Sequence, residues 1–300
     1  MHTRWLYGCL IAVFLAASSV AQQSVASSAV PQELLPTTDA KEIMRRAIES
    51  DQHNFQLARN YTCEQREVEK ELDKNGNVKS QKSKIYDVGV YYDEVYSRLI
   101  QVNDKPLSDK EEKKEQEKLD KLTAKRKNES EDERRKRLEK IEKERQEGRA
   151  FVRDVLNAYD FALTGEELVN GRTAYVIDAK PRRDFHPTQP HADILPKLQG
   201  KMWIDKQDYG WIKTHVDVID TISFGIFLAR IHKGTQIEFE QTRLNNEIWL
   251  PSRIYLNGNA RIALLKNYTF QQEDTFSKYR KFTTSTKILP GVAEVEPPKN

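Results

Sequence analysis

Four side chains of zinc-ligand type crowd one short stretch, DFHPTQPHAD: Asp184, His186, His191 and Asp193. Carboxylate and imidazole together suit a cation such as zinc. Their spacing does not follow the usual zinc-ligand patterns, and Pro187 and Pro190 stand between the two histidines. The stretch therefore reads as a polar surface loop, and no metal is assigned to it. His53, His215 and His232 are isolated along the chain. No serine elbow, phosphate-binding loop, dinucleotide glycine fingerprint or HExxH helix is present. Carboxylates are plentiful, but none can be paired for acid–base work by sequence position. The expectation is a non-enzyme with no catalytic residue and no cofactor.

Cysteine chemistry is equally sparse. The chain has Cys9 and Cys63. Cys9 lies in an apolar N-terminal run, Trp5 to Ala17, which follows His2 and Arg4 and precedes Ser19-Val20-Ala21. That order of polar start, short apolar run and small residues describes an export signal removed after Ala21. Cys63 is then alone, so no intramolecular disulfide can form, and a small core residue is its expected role.

The elements that must position any site follow from periodicity. Residues 22–38 are rich in Ser, Gln, Ala and Pro and read as a flexible tether. A helix is expected from about Ala40 to Arg59, capped by Asp39, with Ile43, Met44, Ala47, Ile48 and Phe55 on one face. Strands are expected over 61–72 and 78–88 around Asn75-Gly76, over 90–102, and over 161–168 and 173–179 around Asn170-Gly171. Asn-Gly tolerates the positive φ of a tight hairpin. Further strands are expected over 235–244, 248–256, 260–270 and 279–286, with turns at Asn245-Asn246 and Asn257-Gly258-Asn259. A short amphipathic helix is expected near Phe151–Tyr159. The nearly all-apolar IDTISFGIFLARI, 219–231, suits a buried strand and loop, or else a lip over an apolar mouth. Residues 289–300 read as a disordered tail, leaving 39–288 as one domain.

Charge is concentrated in one place. The whole chain carries 49 basic and 46 acidic residues, and that balance gives no electrostatic reason to expect nucleic acid as a partner. Residues 109–149 hold 16 basic and 14 acidic residues of 41. With pairs such as Glu117–Lys121 and Glu139–Lys143 at helical spacing, the segment reads as a charged helical insertion, solvated or docking a partner. No later stretch is long and apolar enough for a transmembrane helix.

The strands pose a covering problem. In GKMWIDKQDYGWIKTHVDV, 200–218, Met202 and Ile204, then Ile212, Thr214, Val216 and Val218, form one row around a turn at 207–210. Ile237 and Phe239 share another row, as do Ile248, Leu250, Ile254 and Leu256. Few helices are available to cover so wide an apolar face. The sheet must close into a barrel, fold into a sandwich, or curl into a half-barrel around the helices. The last leaves a greasy cavity, for which Met202, Ile204, Ile212, Val216, Val218, Phe239, Ile254 and Leu256 are the candidate lining.

Four stretches carry a resemblance: GKMWIDKQDYGWIK, EIWLPSRIYLNG with Trp249-Leu250-Pro251, YTCEQREVEKELDKNGNVK, and RLIQVNDKPLS. Together with the export signal and N-terminal helix, they resemble the LolA/LolB-like superfamily, which includes the outer-membrane lipoprotein carriers. The resemblance spans roughly residues 40–286 and implies an α+β fold. A large antiparallel sheet would curl into an unclosed half-barrel over a few helices. It also implies a periplasmic protein that holds a lipid, an acyl chain or a lipoprotein and is not an integral membrane protein. It supplies no catalytic residue. The charged segment 109–149 departs from the carriers and leaves a second expectation open, an envelope scaffold or sensor that binds a protein partner through that arm.

Overall fold

The computed structural model describes residues 37–92, 94–224, 229–262 and 266–281. The expected export signal, nearly all of the tether and the tail lie outside them. Helix α1 (Ala40–Ala58) opens the fold. Asp39 caps it by accepting a hydrogen bond from Lys41 N at 3.0 Å, as its place before the apolar stripe requires. Ile43, Met44 and Ala47 on that stripe are fully buried.

A meander follows: β1 (Tyr61–Leu72), β2 (Val78–Tyr91), β3 (Glu94–Val102) and the two-residue β4 (Lys105–Pro106). Then come α2 (Asp109–Lys127) and α3 (Glu131–Ala158). The second half of the sheet is built from β5 (Tyr159–Val169), β6 (Arg172–Pro181), a 3₁₀ turn (Ala192–Lys197), β7 (Leu198–Asp205), β8 (Trp211–Val218), β9 (Ile222–Phe224), β10 (Ala229–Ile231), β11 (Gln236–Leu244), β12 (Ile248–Ile262) and β13 (Lys266–Lys281).

All thirteen strands belong to one antiparallel sheet, in the order β4-β3-β2-β1-β13-β12-β11-β8-β7-β6-β5, with the β9–β10 hairpin branching from β12. The path ends at β4 and β5, so the sheet is unclosed. Buried residues of α1 and the 3₁₀ turn pack in one cluster with residues drawn from β5 through β13. The sheet thus wraps its helices, the half-barrel solution to the covering problem.

Directly opposed residues of an antiparallel pair share a face, so the registers define rows across the sheet. One row runs Leu163, Ile177, Met202, Thr214, Phe239, Ile254, then Asp274, Glu67 and Lys84. The next runs Phe161, Ala179, Gly200, Val216, Ile237, Leu256, then Gln272, Glu69 and Lys82. Both are mainly apolar from β5 to β12 and polar from β13 to β2.

Two expected turns and one expected break are otherwise in the structure. Asn257-Gly258-Asn259 lies inside β12, not in a turn. A Cβ at Gly258 would stand 2.3 Å from Thr235 Oγ1, so glycine is there to let Thr235 lie against the strand. Strand β13 then runs unbroken through 271–278, where a connection was expected. The helix near Phe151–Tyr159 is the last part of the 28-residue α3, which passes through Gly148. One glycine costs a helix only about 1 kcal/mol, less than a long amphipathic helix gains by packing its end on a core.

The charged arm is tied down at its tip. Ser130 and Glu133 form a capping box at the start of α3, with Ser130 N donating to Glu133 at 2.9 Å. Arg137 donates twice to Glu129, at 2.8 and 2.9 Å, and once to the Tyr92 carbonyl at 3.0 Å. Arg126 reaches Glu94 at 2.7 Å. The α2–α3 turn is therefore fastened to the β2–β3 turn by charge-assisted hydrogen bonds, while Leu119 is buried beneath α2.

Candidate functional site

The largest consequence of the wrap is an apolar cavity between the sheet and its helices. Its volume is about 120 Å³, within an open space of about 1050 Å³ that reaches solvent. Met44, Ile48 and Asp51 contribute from α1, and Val152 and Val155 from the end of α3. Tyr159, Phe161 and Ala179 form one wall with Ile194 and Leu195 of the 3₁₀ turn. The floor comes from β7, β8 and β11: Leu198, Gln199, Gly200, Met202, Trp211, Thr214, Val216, Ile237 and Phe239.

Polar pins hold the roof in place. Trp211 Nε1 donates to the Ala47 carbonyl at 3.0 Å, fixing the middle of α1 above β8. Arg46 donates to Tyr209 OH at 2.8 Å and lies over its ring at 5.2 Å. Asn54 accepts from Trp249 N at 3.2 Å, securing the far end of α1. On α3, buried Asp154 accepts from Thr188 N, Thr188 Oγ1 and Gln189 N at 2.8–3.1 Å. That contact anchors the proline-broken loop leading to the 3₁₀ turn. Tyr159 OH donates to the Leu195 carbonyl at 2.8 Å, and burial pushes its phenol up from its ordinary pKa.

Among the described residues, Asp51 is the only charged one in the lining. Burial alone pushes its carboxyl up to about 7. Its surface is only partly covered. The two facts agree if the carboxyl faces the cavity, where water still reaches it but protein surrounds it. Among the described residues it has no ion pair or hydrogen-bonded side chain. Thr214 adds a buried polar group: the residue is 2% exposed, and its Oγ1 has no partner among the described residues.

The eight residues proposed from sequence divide into three groups. Met202, Val216 and Phe239 line the cavity. Ile204, Val218, Ile254 and Leu256 are buried in the same core cluster but are not part of the lining. Ile212 lies in a separate cluster with Ala174 and Trp249, next to Trp203. The reason is a β-bulge: Trp203 opposes Lys213 and Ile204 opposes Trp211, leaving Ile212 as the extra residue. An extra residue reverses the in–out alternation beyond it. Trp211 turns inward to the cavity, and Ile212 turns out beside Trp203.

Asp51 was not anticipated, although the sequence held a signal. It lies seven residues after Met44 and three after Ile48, so a carboxyl interrupts the apolar stripe of α1. Asp184, His186, His191 and Asp193 are all exposed. Asp184 is paired with Arg182 at 2.8 Å, and no cluster of three or more metal-ligating side chains occurs among the described residues. No described helix is long and apolar enough to cross a membrane.

No protein-family model matches the chain, and no curated protein matches it in sequence. Several solved structures are similar to it, among them the following three. One is described as an outer membrane lipoprotein-sorting protein domain from Vibrio parahaemolyticus, with 12% identity over 83% of this chain and 96% of that one, and a TM-score of 0.35. Another is a DUF1329 family protein from Desulfovibrio piger, with 13% identity over 83% and 96% and a TM-score of 0.28. The third is a LolA superfamily protein from Nitrosomonas europaea, with 8% identity over 81% and 94% and a TM-score of 0.28. These likenesses are distant.

Proposed function

We propose that this protein is an exported binding or carrier protein that holds an apolar chain, of a lipid or an acylated peptide, in the cavity between α1, α3 and the concave sheet. The observation that carries the proposal is the lining: hydrocarbon and aromatic side chains from five separate strands and two helices converge on one open space, with a single carboxyl among them. Each CH₂ moved from water into such a space contributes about 0.8 kcal/mol, so a chain of moderate length binds without a dedicated polar anchor. The roof is attached by a few hydrogen bonds and apolar contacts and not by the sheet ladder, which gives the ligand a route in that leaves the strands paired. The export signal expected at residues 1–21 supports a location outside the cytoplasm, in the periplasm.

Native mass spectrometry of the mature chain, purified gently from the envelope of its own cells, tests the proposal. A co-purifying lipid or acylated peptide, released on unfolding, is the expected result. The neutral probe N-phenyl-1-naphthylamine should fluoresce on uptake, and Ala179→Leu, which fills part of the cavity, should reduce that signal. An empty protein that takes up no probe would sink the proposal.

A further inference from the structure

The cavity wall carries more information than its greasiness. Among the described residues that line it, Asp51 holds all the charge, and none is a lysine, arginine or histidine. Of the other polar side chains in the lining, Gln199 is exposed, and Thr214 is buried with its hydroxyl oxygen unpartnered among the described residues. Tyr159, the other lining residue with an ionisable group, already donates its proton to the Leu195 carbonyl. An apolar chain threaded into this space therefore meets one negative charge and, among the described lining residues, no cation to receive an anion.

Resting on the carrier reading above, we propose that the cavity selects amphiphiles by their polar end. It takes chains that end in a hydrogen-bond donor or a cation (an alcohol, an amide or an amine) and discriminates against chains that end in a carboxylate. Asp51 is the residue that sets this preference. A donor or ammonium group satisfies its carboxyl where the apolar lining and the bound chain displace water, and such a bond is stronger there than in solution. A carboxylate there adds a second negative charge with no counter-ion, and like charges in a desolvated site repel strongly. The raised pKa of Asp51 reports the same poverty of compensating groups, since burial is its only cause. Thr214 offers a further acceptor, or a donor of its own, to the polar end.

The experiment uses three ligands with one twelve-carbon chain: dodecylamine, dodecanol and dodecanoate, each kept below micelle formation. They compete against bound N-phenyl-1-naphthylamine on the mature chain at about pH 8.5, where a carboxyl with its pKa near 7 is ionised. The amine and the alcohol should displace the probe at roughly tenfold lower concentration than dodecanoate, a free-energy difference of about 1.4 kcal/mol. In Asp51→Asn, and in Asp51→Ser should the first variant fold poorly, dodecanoate should approach the alcohol to within about threefold.

Equal displacement by all three on the unaltered protein overturns the selectivity. So does an order that survives both substitutions. Probe uptake with such a result leaves the carrier reading intact. A protein that takes up neither the probe nor any of the three chains fails the carrier reading itself, and this inference falls with it.

Discussion

Asp274 on β13 stands directly opposite Ile254 on β12, and the pair marks the line where the concave face changes from hydrocarbon to charge. Asp274 is 1% exposed, accepts from Gln272 Nε2 at 3.0 Å, and keeps one oxygen without a partner among the described residues. Beyond it in the row stand Glu67 and Lys84, paired with each other. One sheet therefore has a greasy half under α1 and α3 and a polar half on the meander.

Burial, the largest influence on Asp274, pushes its carboxyl up to about 6, and Asp51 is pushed up to about 7. A raised acid pKa means that the fold favours the neutral form. Both groups are neutral in the folded and unfolded chain at low pH, so the penalty is absent there. It grows as pH rises through the unfolded value near 4 and is complete above the folded value. Asp274→Asn should therefore gain on the unaltered protein by about 1–3 kcal/mol between pH 4 and pH 8. Urea unfolding at several pH values measures the gap. A gap that is flat or narrows with pH would contradict the burial of this carboxyl.

Trp211→Phe keeps the apolar contact and removes the hydrogen bond to Ala47. The expected cost is about 1 kcal/mol. Amide exchange in α1 should quicken more than exchange in β7 or β8, since the lost bond holds the helix and not the ladder. Equal acceleration everywhere would show that Trp211 supports the whole core.

At Gly258 the added Cβ of alanine meets Thr235 Oγ1 at 2.3 Å and Thr235 Cβ at 2.6 Å. Gly258→Ala should lower stability by about 1–3 kcal/mol through overpacking. Adding Thr235→Gly should recover part of that loss. Chemical denaturation of the single and double variants reads both effects.

Cys63 is buried, and burial is the main cause pushing its thiol up to about 11. The thiolate is the reactive form. Iodoacetamide should therefore modify the native protein very slowly and the urea-unfolded protein rapidly. Comparable rates would place Cys63 outside the core.

The arm makes a contrasting case. Arg126→Ala removes the bond to Glu94 but touches no cavity residue. Global stability should change by no more than about 1 kcal/mol, as for other partly exposed ion pairs. Exchange should quicken at the α2–α3 turn, with probe uptake unchanged.

Local chemistry explains which parts of this fold could be read in advance. Asn75-Gly76, Asn170-Gly171 and Asn245-Asn246 each form turns with positive φ, because few other residues adopt it without strain. Asp39 and the stripe of α1 were equally plain. Gly258 was not, because a glycine that loosens a turn and one that admits a neighbour look alike until Thr235 is in view. Nor was the bulge at Ile212, where alternation continues through the sequence while the pairing slips by one residue. Three of the eight proposed residues reach the cavity, and which of a row of buried side chains faces space depends on where α1 and α3 come to rest. Asp51 was legible as a break in the stripe of α1, but its meaning needed the cavity beside it.

Strand β13 has a consequence for how the chain assembles. Among the described strands it alone joins the meander to the rest of the sheet: β1 pairs with it along one side and β12 along the other. The partner of Tyr61 is Lys281, and that of Leu72 is Thr269. During synthesis β1 must therefore wait for β13 before its outer ladder can form. Contacts of such long sequence separation are slow to make and leave an unpaired edge open to other chains in the meantime. The protein should refold slowly, depend on dilution or a holding chaperone to do so cleanly, and fall into two unlinked sheets if β13 is withheld.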